Sequence, residues 1–255
     1  MVLKDKVAIV TGGASGIGEE ICRVFAEAGA HIAVADFNAK AGDKVISKIE
    51  AKGRKGILLN VDIREYQAVT ESVTRVIEIF GKLDILVNCA GFNKFIEVEE
   101  ITPEFWQEIR SVNLDGSWNF CNAVIGPMIK RGRGKIINIG SAAAVLAIPK
   151  ALPYVVAKHG VVGLTQALAV DLGPHNINVN CICPGPVETP LFESSTSASF
   201  RNGMIRSVPL ARLGQPSDIA QAALFFASAG SDWITGATLP VDGGLLCCVR
   251  AHHFE

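Results

Sequence analysis

Short apolar runs alternate with helix-spaced segments along most of the chain. The runs are rich in Val, Ile, Leu and Ala and contain few polar residues, which predicts strands that are buried on both faces. Seven runs are predicted to be strands: Lys6–Val10, His31–Ala35, Gly56–Val61, Asp84–Asn88, Lys135–Ile139, Ile177–Cys183 and Thr238–Val241.

The segments between these runs repeat apolar residues at the period of an α-helix. Thr102 and Pro103 are typical of a helix start, because a capping hydroxyl precedes proline in the first turn. The predicted helices are Gly16–Ala28, Ala39–Ala51, Glu65–Phe80, Pro103–Lys130, Leu152–Leu172 and Pro216–Ala227. This alternation predicts a single α/β domain over residues 1–255, with a doubly wound parallel sheet of about seven strands and helices on both faces.

A polar segment, Glu193–Gly203, follows the sixth predicted strand. Open α/β sheets bind ligands beyond the carboxyl ends of their strands. We therefore expect residues 191–209 to form a mobile lid over a substrate; an ordinary surface excursion is the alternative.

Composition narrows the possible functions. The net charge is −1 and no basic run occurs, which predicts neither nucleic acid nor an anionic membrane as a partner. No apolar stretch reaches the roughly 18–20 uncharged residues of a membrane span, and the charges within Met1–Lys6 indicate no export signal. Seven cysteines without zinc-site spacing predict buried or half-buried free thiols, a reducing cytoplasmic location and no metal site.

A glycine-rich turn, Thr11–Gly18, joins the first predicted strand to the first helix. Glycines at 12, 16 and 18 permit a tight turn and a close backbone approach to a pyrophosphate, and the helix N-terminus attracts its negative charge. This context predicts a dinucleotide site of the Rossmann type.

Asp36 ends the second predicted strand, where a carboxylate accepts hydrogen bonds from adenosine ribose hydroxyls and repels a 2′-phosphate. Neither Lys nor Arg directly follows Asp36 or lies in the glycine turn, which favours NAD over NADP. Asp62 at the end of the third strand is a candidate contact for adenine. Asn88–Gly91 ends the fourth strand at the same rim, where small residues leave room for a cofactor; a plain turn is the alternative for each of these two sites.

Tyr154 and Lys158 are four residues apart at the start of a predicted helix, so both side chains lie on one face. A free tyrosine has a pKa of about 10 and is a weak base at neutral pH, whereas a nearby ammonium favours the phenolate. Ser141, at the end of the fifth strand, could donate a hydrogen bond to a reacting oxygen. Asn113 could hold a water between Lys158 and solvent; a helix-surface asparagine is the alternative.

Taken together, these motifs resemble the short-chain dehydrogenase/reductase family in its roughly 250-residue form. The matching elements are Thr-Gly-x-x-x-Gly-x-Gly at 11–18, Asp36, Asn-x-Ala-Gly at 88–91, Asn113, Ser141, Tyr154-x-x-x-Lys158 and Pro184-Gly185. The resemblance implies that Tyr154 is the acid/base, that Lys158 modulates it and binds ribose hydroxyls, that Ser141 orients the substrate, and that Asn113 anchors a proton relay. It also implies that Val187 and Thr189 hold the nicotinamide carboxamide.

From these motifs we expect a broader set of cofactor contacts: Gly12, Ser15, Gly16, Ile17, Gly18, Asp36, Phe37, Asp62, Ile63, Asn88, Ala90, Gly91, Tyr154, Lys158, Pro184, Gly185, Val187 and Thr189. The expected substrate pocket consists of Phe92, Asn93, Ala142, Ala143, Leu146, Leu152 and Leu191. These pocket residues are largely apolar or small, which favours a neutral secondary alcohol: cyclic, aliphatic, a polyol or a sugar.

Two features depart from the family pattern. Cys89 replaces a common second asparagine, and the tail 245–255 is longer and more apolar than a simple stop. Because members of the family are commonly tetramers, we expect a homotetramer with the tail at a subunit contact; a free end is the alternative.

The predicted function is NAD-dependent interconversion of a secondary alcohol and its ketone. A 3-oxoacyl-carrier-protein reductase is the first alternative, although that activity usually uses NADPH. A non-catalytic NAD-binding scaffold is the alternative of another class, which the presence of Asn113, Ser141, Tyr154 and Lys158 disfavours.

Overall fold

Seven parallel strands form one continuous sheet in the computed structural model of the protein, which describes residues 1–195 and 197–247. The strands are β1 (Val7–Thr11), β2 (His31–Asp36), β3 (Gly56–Asn60), β4 (Ile85–Asn88), β5 (Gly134–Ile139), β6 (Ile177–Pro184) and β7 (Thr238–Val241). Their order across the sheet is β3-β2-β1-β4-β5-β6-β7. The predicted fold class is confirmed, and the strand bounds agree to within one residue at each end.

Helices cover both faces of this sheet. In the described ranges they are α1 (Gly16–Glu27), α2 (Ala39–Glu50), α3 (Tyr66–Phe80), α4 (Pro103–Arg110), α5 (Gly116–Arg131), α6 (Leu152–Leu172), α7 (Pro190–Ser195), α8 (Ala198–Ser207) and α9 (Pro216–Ala227). Alternate residues of β1 serve different cores: Ala8 and Val10 pack with α1, α2 and α9, whereas Val7 and Ile9 pack with α3, α5 and α6. Burial on both faces explains why the strands read as continuous apolar runs.

The predicted helix Pro103–Lys130 is interrupted by a π-helical turn at Ser111–Asp115. Within it, the Asn113 side chain donates a hydrogen bond to the Ile109 carbonyl at 2.9 Å and another to the Phe92 carbonyl at 2.9 Å. An amide inserted into the helical hydrogen-bond ladder locally widens the helix. Apolar periodicity alone does not show this interruption, but the polar Asn113 within Ser111–Gly116 marks its position in the sequence.

The described part of the polar segment after β6 is helical and belongs to α7 and α8. Thr189 accepts a hydrogen bond from the Phe192 amide, and Ser197 accepts one from the Phe200 amide at the start of α8. The hydroxyl residues that make this segment read as a loop therefore serve as helix caps. We call α7 and α8 the lid helices.

Among the described residues, one helix is long and apolar enough to cross a membrane by length and composition, Leu152–His175. It contains α6, whose Val161, Leu168 and Leu172 pack against the sheet. Contact with the core accounts for its apolar character, as in the central helix of many globular folds.

Six described cysteines are free thiols. Cys22, Cys121, Cys181 and Cys183 are buried and Cys89 is half-buried, as expected, but Cys247 is exposed. The prediction of enclosed thiols is therefore wrong for Cys247. Cys248 and most of the tail, from residue 248 onward, lie outside the described residues, so the expected tail contact stays a prediction.

Candidate active site

A cleft of about 1310 Å³ lies at the carboxyl ends of the strands. The chain runs from β1 outward through β2 and β3 and then crosses back to β4 on the other side of β1. This change of direction between β1 and β4 is the topological switch point of the sheet. Thr11 connects the two strands there, since its hydroxyl oxygen accepts hydrogen bonds from the Cys89 and Ala90 amides at 2.9 and 3.1 Å. Single-ligand pockets usually span about 300–1,000 Å³, so the cleft has room for a cofactor and a substrate together.

The glycine-rich turn lies at one end of the cleft. Its backbone conformation leaves no room for side chains at Gly12 and Gly18. Gly12 has φ of 62°, and a Cβ on Gly18 would lie 2.1 Å from the Gly12 carbonyl oxygen. Ser15 precedes α1 in an extended conformation and makes no capping hydrogen bond with its side chain. The first amides of α1 thus remain available to an anionic group, which fits a dinucleotide pyrophosphate.

Asp36 is oriented by two backbone amides. Its Oδ2 accepts a hydrogen bond from Ala14 N at 3.1 Å and its Oδ1 accepts one from Asn38 N at 2.9 Å. The carboxylate lines the cleft and retains further acceptor capacity for hydroxyl groups. This position fits the ribose contact expected from the sequence.

Asp62 also lines the cleft, but it is engaged by a cation that the sequence reasoning did not consider. Arg64 Nε lies 2.9 Å from both carboxylate oxygens of Asp62. This hydrogen bonding holds the pKa of Asp62 below its ordinary value. Spacing alone could have identified the pair, because the residues lie two apart in one turn.

Of the expected cofactor contacts, one is not brought to the cleft. Asn88 is buried, and its Nδ2 donates to Asn138 Oδ1 at 2.9 Å and to the Ser117 carbonyl at 3.3 Å. Its side chain points into the helix layer because alternate residues of β4 face opposite sides of the sheet. The other expected contacts line the cleft: Gly12, Ser15, Gly16, Ile17, Gly18, Asp36, Phe37, Asp62, Ile63, Ala90, Gly91, Tyr154, Lys158, Pro184, Gly185, Val187 and Thr189.

Tyr154, Lys158 and Ser141 line the middle of the same cleft. Lys158 Nζ lies 5.6 Å from the centroid of the Tyr154 ring and donates a hydrogen bond to the Ile139 carbonyl at 2.9 Å. Ser141 Oγ accepts a hydrogen bond from Ala143 N at 3.0 Å, which leaves the hydroxyl proton for another acceptor. Helix spacing brings the phenol and ammonium together, and the end of β5 adds the Ser141 hydroxyl to the same cleft.

Asn113 lies directly behind this group and is fully buried. A Cβ placed on Gly91 would meet Asn113 Oδ1 at 2.6 Å and Lys158 Nζ at 3.4 Å, so both side chains approach one glycine. Asn113 Oδ1 has no partner among the described residues. Its amide nitrogen is committed to two backbone carbonyls, which leaves this oxygen as the atom that could hold a water.

The expected substrate pocket is met in part. Phe92, Asn93, Ala142 and Leu146 line the cleft. Ala143 is fully buried behind it, since Ser141–Ala144 forms a short turn that directs Ala142 into the cleft, and Leu152 faces outward at the start of α6. The side chain of Leu191 lies outside the described residues.

Some cleft-lining side chains were not named in the sequence analysis: Phe95, Ile148, Arg64 and Glu108. Phe192, Phe200 and Met204 also line the cleft and belong to the segment 191–209 that was expected to cover a substrate. The polar composition of that segment did not predict its helices α7 and α8. The cleft is therefore more aromatic than the sequence suggested.

Comparisons with known proteins agree with this arrangement. A family model described as enoyl-(acyl carrier protein) reductase matches residues 12–246. The chain is 39% identical to the 3-oxoacyl-[acyl-carrier-protein] reductase of Chlamydia trachomatis, over 96% of this chain and 98% of that protein. The chain belongs to the short-chain dehydrogenase/reductase family.

Other family members carry different names. An NAD-dependent glycerol dehydrogenase of Listeria innocua is 35% identical over 95% of this chain and 94% of its own length. The crystal structure of carveol dehydrogenase from Mycobacterium avium in complex with NAD superposes with a TM-score of 0.93 at 29% identity, covering 97% of this chain and 99% of that one. As a short-chain dehydrogenase/reductase, this protein is an oxidoreductase of a family that binds nicotinamide cofactors.

Proposed function

We propose that this protein is an NAD-dependent oxidoreductase that interconverts a neutral secondary alcohol and its ketone. The observation that carries the proposal is the shared cleft, in which Tyr154, Lys158 and Ser141 lie together with the glycine turn and Asp36. Acid/base and oxygen-binding groups beside a dinucleotide site are the parts that reversible hydride transfer needs.

Each side chain has a separate task in this reaction. Bound NAD supplies the hydride acceptor. Tyr154 takes the hydroxyl proton of the alcohol during oxidation and returns a proton to the carbonyl oxygen during reduction. Ser141 donates its remaining hydroxyl proton to the same substrate oxygen, and the Lys158 ammonium stabilises the phenolate.

The choice of NAD rests on charge. The Asp36 carboxylate at the ribose end of the cleft disfavours a 2′-phosphate. Arg64 is the cation at that rim in the described part of the cleft, and its guanidinium is already paired with Asp62. The similarity to the NAD-dependent glycerol dehydrogenase of Listeria innocua and to the NAD complex of carveol dehydrogenase supports the same choice.

A 3-oxoacyl-carrier-protein reductase remains the second candidate. It is favoured by the 39% identity to the Chlamydia trachomatis enzyme. Cofactor preference separates the two candidates, because Asp36 opposes the NADPH that this activity usually uses.

The test is an NAD-reduction screen across secondary alcohols, polyols, sugars and hydroxyacyl thioesters, repeated with NADP. We expect turnover with NAD, and a loss of about 100- to 10,000-fold in kcat for Tyr154→Phe with NAD affinity retained. Retained turnover in that variant would contradict the mechanism, and a preference for NADP with a thioester would favour the second candidate.

We further propose that the protein is a cytoplasmic homotetramer. Exposed apolar side chains support the assembly: Trp233 is fully exposed, Leu239 of edge strand β7 is partly exposed, and Val156 and Val170 of α6 also face outward. The free thiols of the described cysteines support a reducing compartment.

A further inference from the structure

The substrate half of the cleft has an aromatic wall formed by Phe92, Phe95, Phe192, Phe200 and Met204. The Phe95 and Phe200 rings come from the loop after β4 and from α8, and they meet with their centroids 6.0 Å apart and their planes tilted by 59°. They are 42% and 39% exposed. Two half-exposed rings that face a cleft form an apolar surface that a ligand would cover.

The polar groups beside this wall are already engaged. Ser207 Oγ donates to the Met204 carbonyl at 2.8 Å, while Ser197 Oγ contacts Ser199 Oγ at 3.0 Å and accepts from the Phe200 amide. Asn93 is the exception, because its buried Oδ1 lacks a partner among the described residues and offers one acceptor. A polyol would therefore bury most of its hydroxyl groups unpaired, which is costly.

The loop at residues 94–100, beside cleft-lining Lys150, carries more glutamates than lysines. Lys150 pairs with Glu97, and Lys94 Nζ lies 3.0 Å from Glu108 Oε1. Glu99 and Glu100 follow on the same exposed loop and are not offset by these two lysines. The hydrogen bond and charge of Glu97, followed by the charges of Glu100 and Glu99, raise the pKa of Lys150.

We infer that the substrate is an uncharged, bulky, ring-sized apolar alcohol or ketone, and that polyols and anionic thioesters are poor substrates. This inference rests on the proposed function and narrows its substrate class. The aromatic wall supplies apolar contact to the substrate, and the acidic loop 94–100 repels phosphate-bearing carriers.

The experiment compares kcat/KM for matched substrates with NAD or NADH. 4-tert-Butylcyclohexanol and 1-indanol represent bulky apolar alcohols, and glycerol and sorbitol represent polyols. The 3-oxobutyryl thioesters of N-acetylcysteamine and coenzyme A share one reacting group but differ in charge. We expect the bulky alcohols to exceed the polyols by at least about tenfold. We also expect the coenzyme A thioester to fall below its neutral counterpart, with a difference that shrinks as salt increases.

Two variants test the wall and the acidic loop separately. Phe200→Ala should lower the ratio of kcat/KM for 1-indanol to that for 2-propanol by about tenfold, whereas Phe225→Ala, a similarly exposed ring on α9, should leave this ratio unchanged. Glu99→Lys combined with Glu100→Lys should raise kcat/KM for the coenzyme A thioester relative to the neutral thioester.

The outcomes distinguish this inference from the proposed function. If polyols are turned over best and Tyr154→Phe abolishes that turnover, the inference is overturned and the proposed function stands. If the coenzyme A thioester is turned over best, the inference is overturned and the second candidate, a 3-oxoacyl-carrier-protein reductase, is favoured. If the protein neither binds NAD nor turns over any of these compounds, both fail.

Discussion

Lys158 is a buried charge whose ammonium keeps hydrogen-bond donors available to the cleft. Its side chain is 4% exposed, and its ammonium donates one hydrogen bond to the Ile139 carbonyl. An ammonium has three donors, so two remain for groups in the cleft. Burial without full pairing is costly for a charge, and here the unused donors face the space assigned to cofactor and substrate.

Asn113→Ala is expected to affect stability as well as catalysis. The change removes one hydrogen bond to the buried Ile109 carbonyl and one to the partly buried Phe92 carbonyl, and a buried group left unpaired costs about 1–3 kcal/mol. Thermal unfolding and kcat measured on the same preparation check this expectation. A variant with wild-type unfolding temperature and wild-type kcat would show that the π-helical turn does not depend on this side chain.

Asp36→Ala is expected to weaken NAD use and to relax discrimination against NADP. Loss of charged hydrogen bonds to ribose hydroxyls costs about 1.5–3 kcal/mol, or roughly 10- to 100-fold in kcat/KM for NAD. Steady-state kinetics with both cofactors measure the effect, and Asp43→Ala on exposed α2 is the control. Unchanged kinetics with NAD and NADP would refute the cofactor assignment.

At the residue scale, the sequence predicted the groups whose spacing fixes their placement. The four-residue separation of Tyr154 and Lys158 suffices to place them on one helix face. The Asn88 side chain does not reach the cleft, because its direction depends on the alternation of side chains along the strand in the folded sheet. Ala143 does not line the pocket, because the short turn after Ser141 directs Ala142 there instead.

At the scale of elements, the long helical pattern after Thr102 and the lid helices show two ways in which periodicity fails. The π-helical turn depends on Asn113 reaching the Phe92 carbonyl, a contact between distant parts of the chain. The lid helices begin at hydroxyl caps, which resemble loop residues when only composition is considered. Elsewhere the predicted elements agree closely, because their periodicity reflects burial against the sheet.

Gly18→Ala is expected to damage the turn between β1 and α1. The new Cβ would lie 2.1 Å from the Gly12 carbonyl oxygen, and relieving such a backbone clash costs about 1–3 kcal/mol. Gly126→Ala within α5 is the matched control, since nothing lies within 4 Å of its Cβ and alanine favours helix by up to about 1 kcal/mol. Denaturant unfolding and NAD titration of both variants should separate them; equal stability and affinity would count against the close turn.

On the scale of the whole molecule, the strand order explains why the expected cofactor contacts and the acid/base groups lie on different sides of the cleft. β1, β2 and β3 lie on one side of the switch point and carry the glycine turn, Asp36 and Asp62. β4, β5 and β6 lie on the other side and lead into Ser141, Tyr154 and the lid helices. The sequence predicted this division because each strand and crossover is local, whereas subunit contacts leave no comparable periodic pattern.

Trp233→Glu is expected to reduce the proposed homotetramer to a smaller species. A charge on a fully exposed indole has little effect on an isolated chain but is unfavourable within an apolar subunit contact. Light scattering after size-exclusion chromatography measures the mass, and Ile79→Glu on α3 serves as a control with another exposed apolar residue. A monomeric wild-type protein would reject the assembly outright.

Helix α8 has no buried residues, although it supplies Phe200 and Met204 to the cleft. Its side chains therefore contribute little to the free energy of unfolding of the sheet and its packed helices. Replacing this helix can change which molecule is accepted while leaving the scaffold and its dinucleotide turn intact. An enzyme built in this way can acquire new substrates through surface mutations alone.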